Sequence, residues 1–381
     1  MLPISEVWTI SDIRSAALAK LDPKWAQYIN GGAEDLTTLR ANELEYNRYR
    51  IMPRILRDVE EIDTSKVIFG TKLSWPFGFS PAAMHCLAHP DGEVATSHAA
   101  AKAGIAMCLS AWATKPLEEV IIACDEVESK IPYAIQKSSA SRKDYTLELV
   151  ARAHKAGYRA LLITADSPTV GRRLNELRNG TDLPEHLAFP NISYNPNNFK
   201  NAIRDATVSA SDYLPWLSSI TPPDMEIWLK GIYTPEDVIT VAQYPFVKGV
   251  IISNHGGRQL DSAPATLEAL SDCVAAARSI NSKRSTESQL MIGIDGGIRR
   301  GSDVFKALAL GADICFAGRI PYWGLAFNGQ DGVERALQVL REEFEVCMRL
   351  SGCKSLADIG QHSLAIVLGG VPDRATVLTN L

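Results

Sequence analysis

Eight short runs of apolar and β-branched residues recur between residues 77 and 317, and stretches of helical pattern separate most of them. The runs are Phe77–Ala83, Ile105–Ser110, Tyr133–Gln136, Ala160–Asp166, Glu226–Gly231, Gly249–Asn254, Leu290–Asp295 and Asp313–Ala317. The helical stretches include Gly92–Ala103, Asp144–Ala156, Thr234–Gln243, Leu267–Ser279 and Gly301–Leu310. Strands that read as continuous apolar runs are buried on both faces, as in a parallel sheet covered by helices. Eight such units predict an α/β fold, a closed (β/α)8 TIM barrel, which takes ~250 residues before insertions. A doubly wound open sheet is the alternative, although it usually needs fewer strands.

Two regions fall outside the repeat. Residues 1–76 read as a helical cap, with Asp12–Leu21, Lys24–Ile29 and Thr37–Arg48 as helix candidates. The gap from about 167 to 224 is rich in Asn, Pro and Ser with little periodicity, which predicts a long lid after the fourth strand. Val333–Leu350 reads as a helix packed on the barrel. The expected organisation is one domain over 1–381: cap 1–76, barrel 77–330 and C-terminal helices 331–381.

Composition excludes several classes. The chain has 381 residues, 46% hydrophobic and 22% charged, with a formal net charge of −5, which argues against nucleic-acid binding driven by bulk charge. Seven cysteines without a C-x-x-C pair fit free thiols in a reducing compartment better than a disulfide framework or a zinc site, so no metal is expected. No apolar run approaches the ~20 residues of a membrane span. The first residues lack a signal-peptide pattern, and Thr379-Asn380-Leu381 is not the S-K-L address, so a cytoplasmic location is expected.

The strand ends are polar, and in such barrels reactive groups collect at the C-terminal ends of the strands. They carry Ser80, Ser110, Gln136, Thr164 with Asp166, Lys230, Ser253 with His255, Asp295, and Gly318 with Arg319. The run Ser253-Asn254-His255-Gly256-Gly257-Arg258-Gln259-Leu260-Asp261 sets a histidine three residues before an arginine, with two glycines between them. An imidazole can take a proton near neutral pH, and a guanidinium can hold a carboxylate with paired hydrogen bonds. A base beside such a clamp suits chemistry on an acid bearing a removable hydrogen. Asp166 could orient His255, or cap a turn. Asp295-Gly296-Gly297-Ile298-Arg299-Arg300 and Gly318-Arg319 join glycine turns to arginines after the last two strands, the usual barrel position for a phosphate. Lys230 follows Ile227-Trp228-Leu229; a lysine there could form a Schiff base, stabilise an anionic cofactor, or snorkel to water.

These residues resemble those of the FMN-dependent 2-hydroxy acid oxidases and dehydrogenases, a family that includes glycolate oxidase, lactate monooxygenase and mandelate dehydrogenase. The resemblance runs from Tyr28-Ile29-Asn30-Gly31-Gly32-Ala33-Glu34-Asp35 to Ser351-Gly352-Cys353-Lys354-Ser355-Leu356, and is strongest at Ala88-His89-Pro90-Asp91-Gly92-Glu93, Ser253–Asp261 and Asp295–Gly311. It implies FMN across the barrel mouth, contacted by Pro81, Ala82, Ala83, Ser110, Gln136 and Thr164. Lys230 would face the ring edge that gains negative charge on reduction. Ser253, Asp295, Gly297, Arg299, Gly318 and Arg319 would hold the ribityl chain and phosphate. His255 would be the base, supported by Asp166; Arg258 and Arg173 would bind the substrate carboxylate with help from Tyr28, and Trp112 would wall the pocket. The implied partners are a small 2-hydroxy acid and oxygen or another soluble acceptor, in a homo-oligomer, commonly a tetramer.

One departure bears on the substrate. The family usually has a tyrosine two residues after the strand-three glutamine; here that position is Ser138. Alternation keeps residues 136 and 138 on one side of a strand, so a serine there predicts a wider pocket and a substrate bulkier than glycolate. Oxidative decarboxylation of the monooxygenase kind, a weakly catalytic flavoprotein, and a non-flavin phosphate-binding barrel stand as the alternative readings.

Overall fold

Local capping starts the N-terminal cap. Thr9 accepts from the Asp12 N–H, and Asp12 returns a bond to Thr9, opening α1 (Ile10–Leu18) with a capping box. Asp22 caps α2 (Pro23–Asn30), whose proline at the first position has no N–H to satisfy. After α3 (Thr37–Leu44) and one turn of 3-10 helix comes a short strand, β1 (Tyr49–Ile51). A hairpin, β2 (Lys66–Ile68) and β3 (Thr71–Leu73), then leads into the barrel. The computed structural model describes residues 3–122, 130–139, 142–193, 207–285 and 288–367, with the backbone of 368 and 371–373.

All the expected strands form, and they close on themselves. They are β4 (Phe77–Phe79), β5 (Ala106–Ser110), β6 (Tyr133–Ser138), β7 (Ala160–Thr164), β8 (Glu226–Ile232), β9 (Val247–Ile252), β10 (Met291–Asp295) and β11 (Ile314–Ala317). Sequence neighbours pair in parallel, and β11 returns onto β4 with Cys315 opposite Phe77, giving a closed eight-stranded barrel. The alternative of an open sheet is thereby excluded. The helices α4 (Gly92–Ala103), α5 (Leu117–Ile122), α6 (Lys143–Ala156), α7 (Leu174–Asn179), α8 (Ala210–Ile220), α9 (Pro235–Ala242), α10 (Thr266–Asn281), α11 (Gly301–Ala309) and α12 (Arg319–Leu350) follow in chain order. Beyond them, β12 (Leu364–Leu368) pairs antiparallel with β1 and with β13 (Val371–Asp373).

Period-two alternation sends one face of each strand inward, and the lower part of the barrel is an apolar plug. Ala106, Cys108, Ala134, Ala160, Leu162, Trp228, Ile251, Ile314 and Phe316 pack there, closed from below by Ile68 and Phe69 of the hairpin. Phe69 meets Trp228 edge-on at 5.1 Å between ring centroids. Glycines make room for these rings: a Cβ on Gly249 would lie 2.5 Å from the Trp228 indole. Two residues further along β8 and β10, the same inward face carries Lys230 and Asp295. The plug therefore forms the floor of a polar mouth.

The differences from expectation are local. The first strand ends at Phe79 instead of running to Ala83, and the fourth stops at Thr164. The lid is not structureless: it carries α7 and α8, while 194–206 lie outside the described residues. The C-terminal helix begins at Arg319 and breaks at Asn328 and Gly329, so the expected Val333 start marks only its second half.

Gly249→Ala is expected to destabilise the protein by about 1–3 kcal/mol, the usual cost of overpacking a filled core, and denaturant titration would measure it. An unchanged midpoint would show that Trp228 can move aside.

Candidate active site

Above the plug lies a cleft, open to solvent, lined by the ends of the strands and by the cap. Of the residues singled out in the sequence, Tyr28, Pro81, Ala82, Ala83, Ser110, Trp112, Gln136, Ser138, Thr164, Arg173, Lys230, His255, Arg258, Asp295, Gly297, Arg299, Gly318 and Arg319 face it. Asp166 and Ser253 do not; they stand behind the lining residues.

At the centre, Lys230 Nζ lies 3.1 Å from Asp295 Oδ2, and both side chains are nearly inaccessible. Lys230 also donates to Ser253 Oγ at 2.9 Å, and Ser80 Oγ donates to Asp295 Oδ2 at 2.7 Å. Ser253 accepts a second bond from the His255 N–H at 3.1 Å. One network thus connects the ends of β4, β8, β9 and β10. The other oxygen of Asp295 is buried without a protein partner. A buried acceptor of that kind normally has a donor, so the cleft is shaped for a ligand hydroxyl at that point.

His255 starts a left-handed turn: its φ is 58°, followed by Gly256 at 66° and Gly257 at 74°. Glycine takes such angles without steric cost, whereas histidine is strained there and must be held. Asn254 holds it. The Asn254 side chain accepts from the Gly257 N–H at 3.0 Å, and it exchanges both amide hydrogen bonds with Asn42 of α3, at 2.8 and 2.9 Å. The imidazole Nδ1 sits 3.1 Å from Asp166 Oδ1 and 3.2 Å from Oδ2, which leaves Nε2 as the nitrogen for a substrate. Burial lowers the His255 pKa; Asp166 pulls it back, while Lys230 and Arg173 add to the lowering, so the ring is neutral at neutral pH. Burial pushes Asp166 up, but contact with His255, then Lys230 and Ser167, more than offsets it and the carboxyl lies below its ordinary value.

The arginines form two groups. Arg258 and Arg173 lie on one side: Arg258 donates to the Tyr28 carbonyl at 2.9 Å with its guanidinium 4.9 Å from the Tyr28 ring centroid. Arg173 donates to the Arg258 carbonyl at 2.9 Å and to Gln259 Oε1 at 3.0 Å. Both are joined to Glu176 on α7. The Tyr28 hydroxyl has no protein partner among the described residues. On the other side, Arg319 donates to the carbonyls of Ile29, Gly31 and Gly256 and pairs with no carboxylate among the described residues. Burial, then the cations Arg299 and Arg258, pull its pKa down to about 9; it stays charged at neutral pH and lacks an anion. Arg299 is paired with Glu43 at 2.8 Å, and its Nε is buried without a partner. The unpartnered Asp295 oxygen, the unpartnered Arg299 Nε and the acid-free Arg319 fit a polyhydroxy chain ending in phosphate.

Sequence reasoning missed several contributors. Tyr322 of α12 lines the cleft, and its hydroxyl bonds the Ala83 carbonyl. Phe189 of the lid meets Trp112 edge-on at 5.0 Å. Lys137 points away from the cleft, between its neighbours Gln136 and Ser138; it is buried, bonds the Ser138 carbonyl at 2.9 Å and the Tyr213 hydroxyl at 3.1 Å, and burial lowers its pKa to about 7. None of these has a local signal, because each is set by a contact between distant segments. Glu176, three residues after Arg173, did have one: spacing i, i+3 on a helix.

Known proteins are similar in sequence and fold. The profile of FMN-dependent dehydrogenases matches residues 17–366. "Oxidase FUB9" of Fusarium oxysporum f. sp. lycopersici is 42% identical over 370 residues, covering 95% of this chain and 92% of the relative. "Glycolate oxidase 1" of Oryza sativa subsp. indica is 39% identical over 368 residues, 93% of this chain and 95% of the relative. The crystal structure of mandelate oxidase with (S)-2-phenylpropionate superimposes with a TM-score of 0.83 at 33% identity, covering 96% of this chain and all of the other. The fold and the site define a flavin-dependent oxidoreductase built on a TIM barrel. The chain belongs to the FMN-dependent dehydrogenases, the 2-hydroxy acid oxidase family that its sequence resembles, and FMN is its cofactor.

Arg319→Met is expected to weaken FMN binding by about tenfold to a hundredfold, the effect of losing a charge-assisted contact of ~1.5–3 kcal/mol, as measured by quenching of FMN fluorescence. The His255 environment also fixes a pH dependence. Were His255 the base, it would work only when unprotonated, and the acid limb of kcat/KM should then lie below the ordinary histidine value of ~6.5. Asp166→Asn removes the group that raises the His255 pKa, so the limb should move lower still, while kcat falls by about 10²–10⁴ as the imidazolium loses its partner. A limb moved upward would contradict this assignment.

Proposed function

We propose that the protein oxidises a 2-hydroxy acid bulkier than glycolate to the 2-oxo acid, with His255 as the base. The contact between His255 and Asp166, on the cleft side that also carries Arg173 and Arg258, supports this most directly. The substrate carboxylate lies against the two guanidinium groups, which hold planar carboxylates well. The Tyr28 hydroxyl adds a further donor. His255 takes one of the two departing hydrogens as a proton, and Asp166 stabilises the resulting imidazolium. FMN bound in the cleft would supply the acceptor for the two electrons and the remaining hydrogen. Lys230 would be the cation beside the flavin ring, where negative charge would accumulate on reduction, and Asp295 keeps its ammonium in place. Arg299, Arg319 and the turn at Gly297 would hold the phosphate, and Asp295 would accept from a ribityl hydroxyl.

The size of the substrate follows from Ser138. It lines the cleft where the family carries a phenol, and a serine hydroxyl reaches several ångströms less far. Trp112, backed edge-on by Phe189, gives the pocket an aromatic wall suited to a large apolar group. A structural relative, mandelate oxidase, has been solved with benzoyl-formic acid, whose phenyl ring is far larger than anything on glycolate. Oxygen or another soluble acceptor would take the electrons onward.

Anaerobic mixing with a panel of 2-hydroxy acids tests the reading. Aromatic or long-chain acids should bleach the flavin fastest, and His255→Ala should abolish bleaching while the protein stays yellow. Glycolate with the highest kcat/KM would refute the size argument. Full bleaching in the His255 variant would refute the base.

A further inference from the structure

The two guanidinium groups proposed to hold the substrate already share an acid. Glu176 Oε1 lies 2.6 Å from Arg258 Nη2, and both of its carboxylate oxygens lie 3.4 Å from Arg173 Nη1. The side chains of Arg173, Arg258 and Glu176 are 13, 14 and 12% exposed. Both arginines line the cleft and Glu176 does not, so the acid binds them from behind and leaves their front edges to the ligand. Its helix, α7, is held in place independently: Asn179 Nδ2 donates to Gln27 Oε1 of α2 at 2.7 Å. Glu176 is therefore a resident counter-ion and not a side chain that a substrate displaces.

Charge counting gives the consequence. Without Glu176 the clamp would carry two positive charges in a half-desolvated pocket; with it the net charge is one, which a single carboxylate neutralises. Substrate and 2-oxo product carry the same carboxylate. A doubly cationic clamp would hold both too well, and binding energy common to substrate and product speeds no chemical step. We propose that Glu176 is a positioning residue that tunes the carboxylate clamp, orienting Arg258 and Arg173 while weakening their hold on the acid so that the product leaves. This rests on the reading of Arg173 and Arg258 as the substrate clamp.

Glu176→Gln keeps the shape and the acceptor oxygen and removes only the charge. Two carboxylates on opposite edges of one guanidinium lie roughly 6–7 Å apart, and at an effective dielectric near 20 their repulsion corresponds to about tenfold or more in Kd. The experiment titrates the FMN-loaded protein with phenylacetate, which lacks the hydroxyl and cannot be oxidised, and reads the perturbation of the flavin spectrum. The Gln variant should bind phenylacetate about tenfold more tightly than wild type, and the inhibition constant of the 2-oxo product should fall by the same factor. Glu176→Asp, which keeps the charge and shortens the reach, should bind no more tightly than wild type. An unchanged or weakened Kd in the Gln variant, or equal tightening in the Asp variant, overturns the role of Glu176 and leaves the clamp standing. No saturable binding by wild type overturns the clamp itself, and this inference with it.

Discussion

The buried pair of Lys230 and Asp295 is the constraint around which the barrel mouth is built. Removing two charges from water costs several kcal/mol each, and the attraction between them offsets that only when the remaining hydrogen-bonding positions are filled. Ser80 and Ser253 fill two of them, one on each partner. The pair therefore fixes more than itself. Through Ser253 it reaches the N–H of His255, and through Ser80 it reaches the end of the first barrel strand. An apolar pair of similar volume would serve stability at least as well. A lysine kept here at the cost of desolvation makes sense where a ligand gains negative charge beside it. The one Asp295 oxygen left unpaired points to the same ligand.

Much of this was readable in the sequence because barrel strands have a strict period. Apolar residues at 106 and 108 followed by serine at 110, or Trp228 followed by Lys230, mark the level at which plug gives way to mouth. That alternation needs no knowledge of tertiary contacts, and the strand-end residues it picks out do converge. It overreached where the backbone stops pairing: Pro81 has no N–H for a ladder, and the chain leaves the sheet just before it. Ser253 shows a different limit. Its position at a strand end was legible, but its place behind Lys230 depends on which neighbour its hydroxyl meets.

The lid was the least legible part. Pro215 lies inside α8 and reads as a helix breaker, which hides an otherwise helical stretch. Here α8 begins with a Ser209 cap and puts Tyr213 against Lys137, so a tertiary contact overrides the local signal. The Asn42–Asn254 pair spans 212 residues of sequence, and no pattern in either segment announces it. Residues that orient others are in general less visible than residues that touch ligand, because their partners are chosen by the fold.

The cap, which looks like an addition to the barrel, completes the site through the C-terminal end of α2. The last carbonyls of a helix have no partner within it and carry its partial negative charge. Here the Tyr28 carbonyl accepts from Arg258, and those of Ile29 and Gly31 accept from Arg319. One helix end thus steadies the arginine at the proposed carboxylate clamp and the arginine at the proposed phosphate site. Neither needs a full counter-ion from α2, so each stays free to meet an anion. The same helix carries Tyr28 toward the cleft, and α3 with the 3-10 turn after it braces the His255 and Gly296 turns, through Asn42 and Tyr46 respectively. A bare barrel would hold the strand-end groups but leave these arginines to find other acceptors. The cap supplies acceptors that are fixed before any ligand arrives, and such preorganisation lowers the cost of binding.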